Sequence, residues 1–162
     1  EMNTRIQVEH PVTEMVTGID LIEEQIRVSA GEPLRFTQED VHISGHAIEC
    51  RINAESPERG FIPCPGLIGH AHFPGGMGVR VDTAVYDGYR VPSEYDSMIA
   101  KILVHAPTRE AAIMKMRSAL NETLVVGVDT NLDLQYRVMS NAVFCEGRAD
   151  TGFIETFLTG GK

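Results

Sequence analysis

The sequence predicts an α+β fold, and three observations carry that expectation. Short strand-like stretches cluster mid-chain: "GHAIECRINAE", "LIGHAHF", "GVRVDTAVY" and "SMIAKILVHA". Helical spacing governs "IDLIEEQIRVSAG" before them and "PTREAAIMKMRSALNE" and "TNLDLQYRVMSN" after them. Strands followed by helices in runs mark this class. The 162 residues are 43% apolar, enough for one medium domain or a small domain with an appended piece.

The first ten residues, "EMNTRIQVEH", read as a strand that stops at His10-Pro11, because the residue before proline is pushed towards extended geometry. "PVTEMVTG" reads as a short helix stopped by Gly18. "IDLIEEQIRVSAG" reads as a second helix with Ile19, Leu21, Ile22, Ile26 and Val28 on its apolar side and Gly31 as its end. "EPLRFTQEDV" is a polar connector and marks a unit boundary, giving residues 1–40 and 41–162. In "VYDGYRV", Asp87-Gly88 signals a hairpin turn with positive φ at both central residues. Thr108 is the expected N-cap of the next helix, whose buried stripe is Ala112, Ile113, Met116, Ala119 and Leu120. "TLVVGV" is a further strand, and "GFIETFL" a last short helix.

The net charge is −9 with acids and bases interspersed, which argues against nucleic acid or an anionic membrane as a partner. Small anionic substrates need only a few local cations. Cys50, Cys64 and Cys145 are odd in number and fit no zinc spacing, so free thiols in a reducing compartment are expected. No apolar run reaches membrane-spanning length and no signal-peptide pattern appears, so a cytoplasmic location is expected.

On a strand, alternate side chains share a face and lie roughly 7 Å apart. The opening segment would thus line up Glu1, Asn3, Arg5, Gln7 and Glu9. Glu1 and Asn3 are hard oxygen ligands of the kind that hold magnesium near phosphates. Arg5 is a fork for a carboxylate-shaped anion, Gln7 can donate to it, and Glu9 can act as a base. A polar strand face is more commonly just solvated. Five different functional groups in succession pull the other way.

These residues resemble a known family. "EMNTRIQVEHPVTEMVTGIDLIEEQIRVSAGEPL" is similar to the end of the ATP-grasp domain of biotin carboxylases. "GHAIECRINAE", "PCPG", "FPGGMGVRVDTAVYDGYRVPSEYDSMIAKILVHAPTREAAI" and "GVDTNLDLQ" resemble the C-terminal domain that follows it. The resemblance covers nearly the whole chain, and "NTRIQVEHPVTE" and "YDSMIAK" are its most specific parts. It implies the C-terminal part of a longer enzyme: an ATP-grasp tail (strand plus helices), then a mostly antiparallel sheet with flanking helices.

The resemblance also implies chemistry. ATP and bicarbonate give carboxyphosphate and then carbon dioxide. Phosphate deprotonates biotin, which is carboxylated on its carrier protein. Glu1 and Asn3 would hold Mg2+ or Mn2+. Arg5, Gln7 and the backbone of Val8 would hold bicarbonate. Glu9 would be the general base, Arg51 would stabilise the biotin oxyanion, and Asp96 would help to bind biotin. Met77 and Arg80 would lie at a homodimer interface. The implied partners are the biotin carboxyl carrier protein and the carboxyltransferase subunits of acetyl-CoA carboxylase, in fatty-acid synthesis. The same domain occurs in pyruvate, propionyl-CoA and urea carboxylases, and a non-catalytic dimerisation or carrier-docking module is the rival from another class. Another ATP-grasp ligase would not be expected to combine Arg5, Gln7, Glu9 and Arg51. Neither a Gly-rich phosphate loop nor a second acidic metal ligand accompanies these residues, so the chain alone is expected to be inactive.

Several weaker signals have plainer readings. His70 and His72 share a strand face but lack a third ligand, so structural or surface histidines are expected. "PGGMG" reads as a tight turn rather than a phosphate nest. Asp96 either serves at the site or caps the strand that follows, and Lys101 is expected to be a paired structural lysine. Met114 and Met116 are expected in the core. The opening 40 residues are expected to be displaced, disordered or swapped, for want of sheet neighbours.

Overall fold

"MIAKILVHA" is a near-continuous apolar run broken by Lys101 and His105, the pattern of a strand buried on both faces. In a computed structural model, which describes residues 2–158, it forms the central strand of a three-stranded antiparallel sheet. This strand, β8 (Met98–Ala106), lies between β1 (His46–Asn53) and β6 (Val79–Thr83). The register sets Arg51 opposite Lys101 and Asp82 opposite the same Lys101.

Alternation then sorts the sheet into two unlike faces. Ile48, Cys50, Ile52, Ala100, Ile102 and Val104 enter the main core. There they meet α3 (Arg109–Glu122) and α4 (Leu132–Met139). The expected stripe of α3 is buried: Ala112 and Met116 are fully enclosed, with Ile113, Ala119 and Leu120 beside them. Thr108 Oγ1 accepts from Ala111 N–H, closing the helix start as expected. The opposite face carries Glu49, Arg51, Arg80, Asp82 and Lys101 around the buried Leu103. The helix α1 (His10–Thr17) packs over it, ended by Gly18 at φ 73°.

Three two-stranded ladders complete the strands. They pair β2 (Glu55–Ser56) with β3 (Ile62–Pro63), β4 (Gly66–Leu67) with β7 (Arg90–Val91), and β5 (His70–His72) with β9 (Leu124–Val126). The remaining helices are α2 (Leu21–Ser29), α5 (Ala142–Cys145) and α6 (Phe153–Leu158). In the "PGGMG" turn, Gly78 has φ 72°, and an added Cβ would lie 2.6 Å from the His105 carbonyl oxygen. Close backbone packing, not phosphate binding, accounts for that glycine.

Several expectations fail, each for a physical reason. Met2–Glu9 is not a strand, because none of the described strands pairs with it. Its end turns instead: His10 N–H reaches Gln7 O and Val12 N–H reaches Glu9 O, so the helix begins at His10 with Pro11 in its first turn. His10–Thr17 is not displaced, since α1 docks on the sheet and Ser44 N–H bonds Val16 O. Asp87-Gly88 is a turn, but only Gly88 has positive φ, and the flanking strands pair elsewhere, with β4 and β8. The apolar side of α2 is largely exposed (Ile26 at 65%), and its buried residue is Glu24. Amphipathicity says that a face wants cover, not that a given chain supplies it. Met116 is core, whereas Met114 is exposed. α5 carried no sequence signal strong enough to predict; Asn141 starts it by accepting from Val143 N–H.

Candidate active site

The charged face of the sheet gathers several of the expected site residues. Arg51 projects from β1, and its Nη2 donates to Glu9 Oε2 at 2.6 Å, joining positions 42 apart in sequence. One residue earlier, the Val8 carbonyl accepts from Lys101 Nζ at 3.0 Å. Lys101 also pairs with Asp82 at 3.3 Å. It is thus the paired structural lysine expected, and it fastens the opening segment to the sheet.

Arg80 links a second point of that segment to the sheet. Its Nη1 donates to Glu14 Oε2 at 2.6 Å, and its Nε and Nη2 grip both oxygens of Asp82. Hydrogen bonds donated to Asp82, and to Glu14 beside it, raise the Arg80 guanidinium above its ordinary range against the cost of burial. Burial works against ionised Asp82, but Arg80 and Lys101 outweigh it and hold the carboxyl below its ordinary range. Arg80 therefore has an intramolecular task, while Met77 stands almost fully exposed at the nearby turn.

The backbone of Arg51 is held as firmly as its side chain. Asn131 Nδ2 and Gln135 Nε2 both donate to the Arg51 carbonyl, and Asn131 Oδ1 accepts from Asn53 N–H. Asn131 is buried at the start of α4. Sequence reasoning gave these two residues no role. The signal was their place in "GVDTNLDLQ", but nothing local shows which carbonyl they reach.

Other expected residues stand apart from the pair. Asn3, Arg5 and Gln7 make no hydrogen bond or ion pair to Glu9 or Arg51 among the described residues; Arg5 Nη1 reaches only the neighbouring Ile6 carbonyl. Glu1 lies outside the described residues. Asp96 Oδ1 accepts from Met98 N–H, capping the start of β8. It also lines a cavity of about 390 Å³ with Asp82, Tyr95 and Lys101, so it borders the charged face. His70 and His72 pair with Asp87 and Glu122, and no group of three possible metal ligands occurs among the described residues. Asn3 is thus the one proposed magnesium ligand among them, too few donors for an octahedral oxygen-seeking ion. The described residues by themselves do not fit that metal.

Residues 49–156 match the family described as biotin carboxylase C-terminal domain. The chain belongs to that family. Residues 1–37 match the carbamoyl-phosphate synthase L chain, ATP binding domain. Among relatives of this chain, the biotin carboxylase of Allochromatium vinosum is 54% identical over 98% of this chain and 35% of its own length. The pyruvate carboxylase subunit from Methanothermobacter thermautotrophicus is 52% identical over 99% of this chain and 33% of its own. A crystal structure of the biotin carboxylase domain dimer of Hydrogenobacter thermophilus 2-oxoglutarate carboxylase, bound to MgADP, ADP and bicarbonate, superposes with a TM-score of 0.96. It is 48% identical and covers 100% of this chain, which covers 36% of it. The chain spans about a third of the length of these relatives. No described helix is long and apolar enough to cross a membrane.

Proposed function

We propose that this chain works as the C-terminal part of a biotin carboxylase, residues 1–40 ending the ATP-grasp domain and 41–162 forming the C-terminal domain. Completed by the rest of the enzyme, it would carboxylate biotin on a carrier protein with ATP and bicarbonate. The observation that carries this reading is the Glu9–Arg51 pair: a base and a fixed cation meet on one sheet face.

In this reading Glu9 takes the proton of bicarbonate. Arg5, the Gln7 side chain and the Val8 N–H orient that anion. Arg51 presents its guanidinium where negative charge develops on the ureido oxygen of biotin. A donor aimed at a developing charge in a dry site typically lowers the barrier by about 3–4 kcal/mol. Asp96, bordering the same face, would contact biotin. Asn3, with Glu1, would contribute to a magnesium or manganese site whose other donors come from outside this chain; the ion would neutralise phosphate charge. Met77 and Arg80 would meet a second copy in a homodimer. Relatives named for different acceptors match almost equally well, so the proposal ends at the biotin step and leaves the carboxyltransferase partner to the parent enzyme.

The test is a chimera: this chain joined to the complementary N-terminal part of the A. vinosum enzyme, assayed for biotin-dependent ATP cleavage. Glu9→Gln and Arg51→Ala should each lower turnover about 100-fold or more. The pair is half-exposed, at 52% and 48% of side-chain surface, so Glu9→Gln should move the melting temperature little, whereas Arg51→Ala, which also strips buried Glu49 of a neighbouring cation, should lower it. Full activity in either variant would refute the assignment.

A further inference from the structure

Glu49 is a second carboxylate on the Arg51 side of β1, and the proposed roles leave it unused. Its side chain is 5% exposed, and neither oxygen has a hydrogen-bond partner. Such burial is costly, and an uncharged side chain of the same shape would avoid most of that cost. What faces it is charge. Arg51 Nε lies 3.7 Å away on the same strand, Lys101 faces it from β8, and Glu9 and His10 face it from the start of α1.

We infer that Glu49 is a positioning residue that holds the Arg51 guanidinium in place while the charge of Glu9 is lost. Alternate positions on a strand share a face, so the Glu49 carboxylate sits beside the stem of Arg51. Glu9 holds the outer end, Nη2; Glu49 attracts the inner end, Nε. Nη1 has no hydrogen bond among the described residues and is the group left to meet an incoming oxyanion. Once Glu9 accepts a proton it no longer attracts Arg51 as an anion. The attraction of Glu49 persists, and it is strong because little solvent screens a buried carboxylate. The carbonyl bonds from Asn131 and Gln135 fix the base of the same side chain.

This inference rests on the function proposed above and is tested in the same chimera. Glu49→Gln keeps the shape and removes the charge. It should lower kcat for free biotin about tenfold, short of the roughly 100-fold that a full ångström of misplacement can cost, with KM for bicarbonate and ATP unchanged. Glu49→Asp should recover part of the loss, and it carries the test if Glu49→Gln does not fold. On an Arg51→Ala background, Glu49→Gln should change kcat no further, because the two act through one group. A merely structural Glu49 would instead give additive losses. An active parent with unaltered kcat in Glu49→Gln, or additive losses on the Arg51→Ala background, overturns the inference alone. A folded parent chimera without biotin-dependent turnover overturns the functional proposal and this inference with it.

Discussion

Glu49 also shows how one buried charge trades stability against placement. Burial raises its carboxyl above the ordinary range, and Lys101 and Arg51 offset part of that rise. The folded chain keeps the proton to higher pH than the unfolded chain does. Folding therefore takes up protons in that window, and stability falls as pH rises through it. Glu49→Gln removes the penalty, so its melting temperature should exceed the parent's at neutral pH. The gap should close below the ordinary carboxylate range, where both states are protonated. Calorimetry from about pH 3 to pH 8 reads this directly; a lower melting temperature at neutral pH would contradict it. Cys50 offers a second test at this scale. Burial, with Glu49 beside it, pushes its thiol up to about 12, whereas Cys64 and Cys145 are only partly covered. A small alkylating reagent should modify Cys64 and Cys145 in the native protein well before Cys50, as mass spectrometry would show.

At the scale of elements, α1 depends on salt bridges as much as on apolar packing. Glu14 is nearly buried and bonded by Arg80, while its other oxygen accepts from Leu21 N–H. The same carboxylate thus joins the sheet, α1 and the start of α2. Arg80→Ala would leave the Glu14 and Asp82 carboxylates without their guanidinium. A loss of about 1–2 kcal/mol is expected, discounted for the partly exposed arginine. Hydrogen exchange should quicken in α1 and α2 while α3 keeps its protection. Asp82 has its carboxyl held low, so the stability it contributes is present at neutral pH and is lost as pH falls through its folded-state range. The deficit of Arg80→Ala should accordingly shrink in acid. Unchanged exchange in α1 would show that packing alone holds it.

For the molecule as a whole, the charged face of the sheet and the exposed side of α2 belong to the first segment and its surroundings, not to the apolar core. That core is closed by α3 and α4 over β1 and β8. The chain by itself is expected to bind no Mg-ATP, since Asn3 is its one proposed metal ligand among the described residues and no phosphate loop accompanies it. Titration calorimetry should give no binding heat, and saturable heat would refute this. Much of this organisation was legible in the order of residues. The α3 stripe, the Thr108 cap, the Gly18 stop and β8 follow from side-chain period and backbone preference, which are local. The motifs around Glu9 and Arg51 pointed to the family, because functional groups are written in sequence. Tertiary structure alone decided that the opening segment stays unpaired and turns at Val8 and Glu9, that β6 and β7 do not pair with each other, and that Glu49 and Lys101 flank Arg51. Each of these outcomes depends on which distant backbone is present to accept or donate a bond, and no local pattern specifies that.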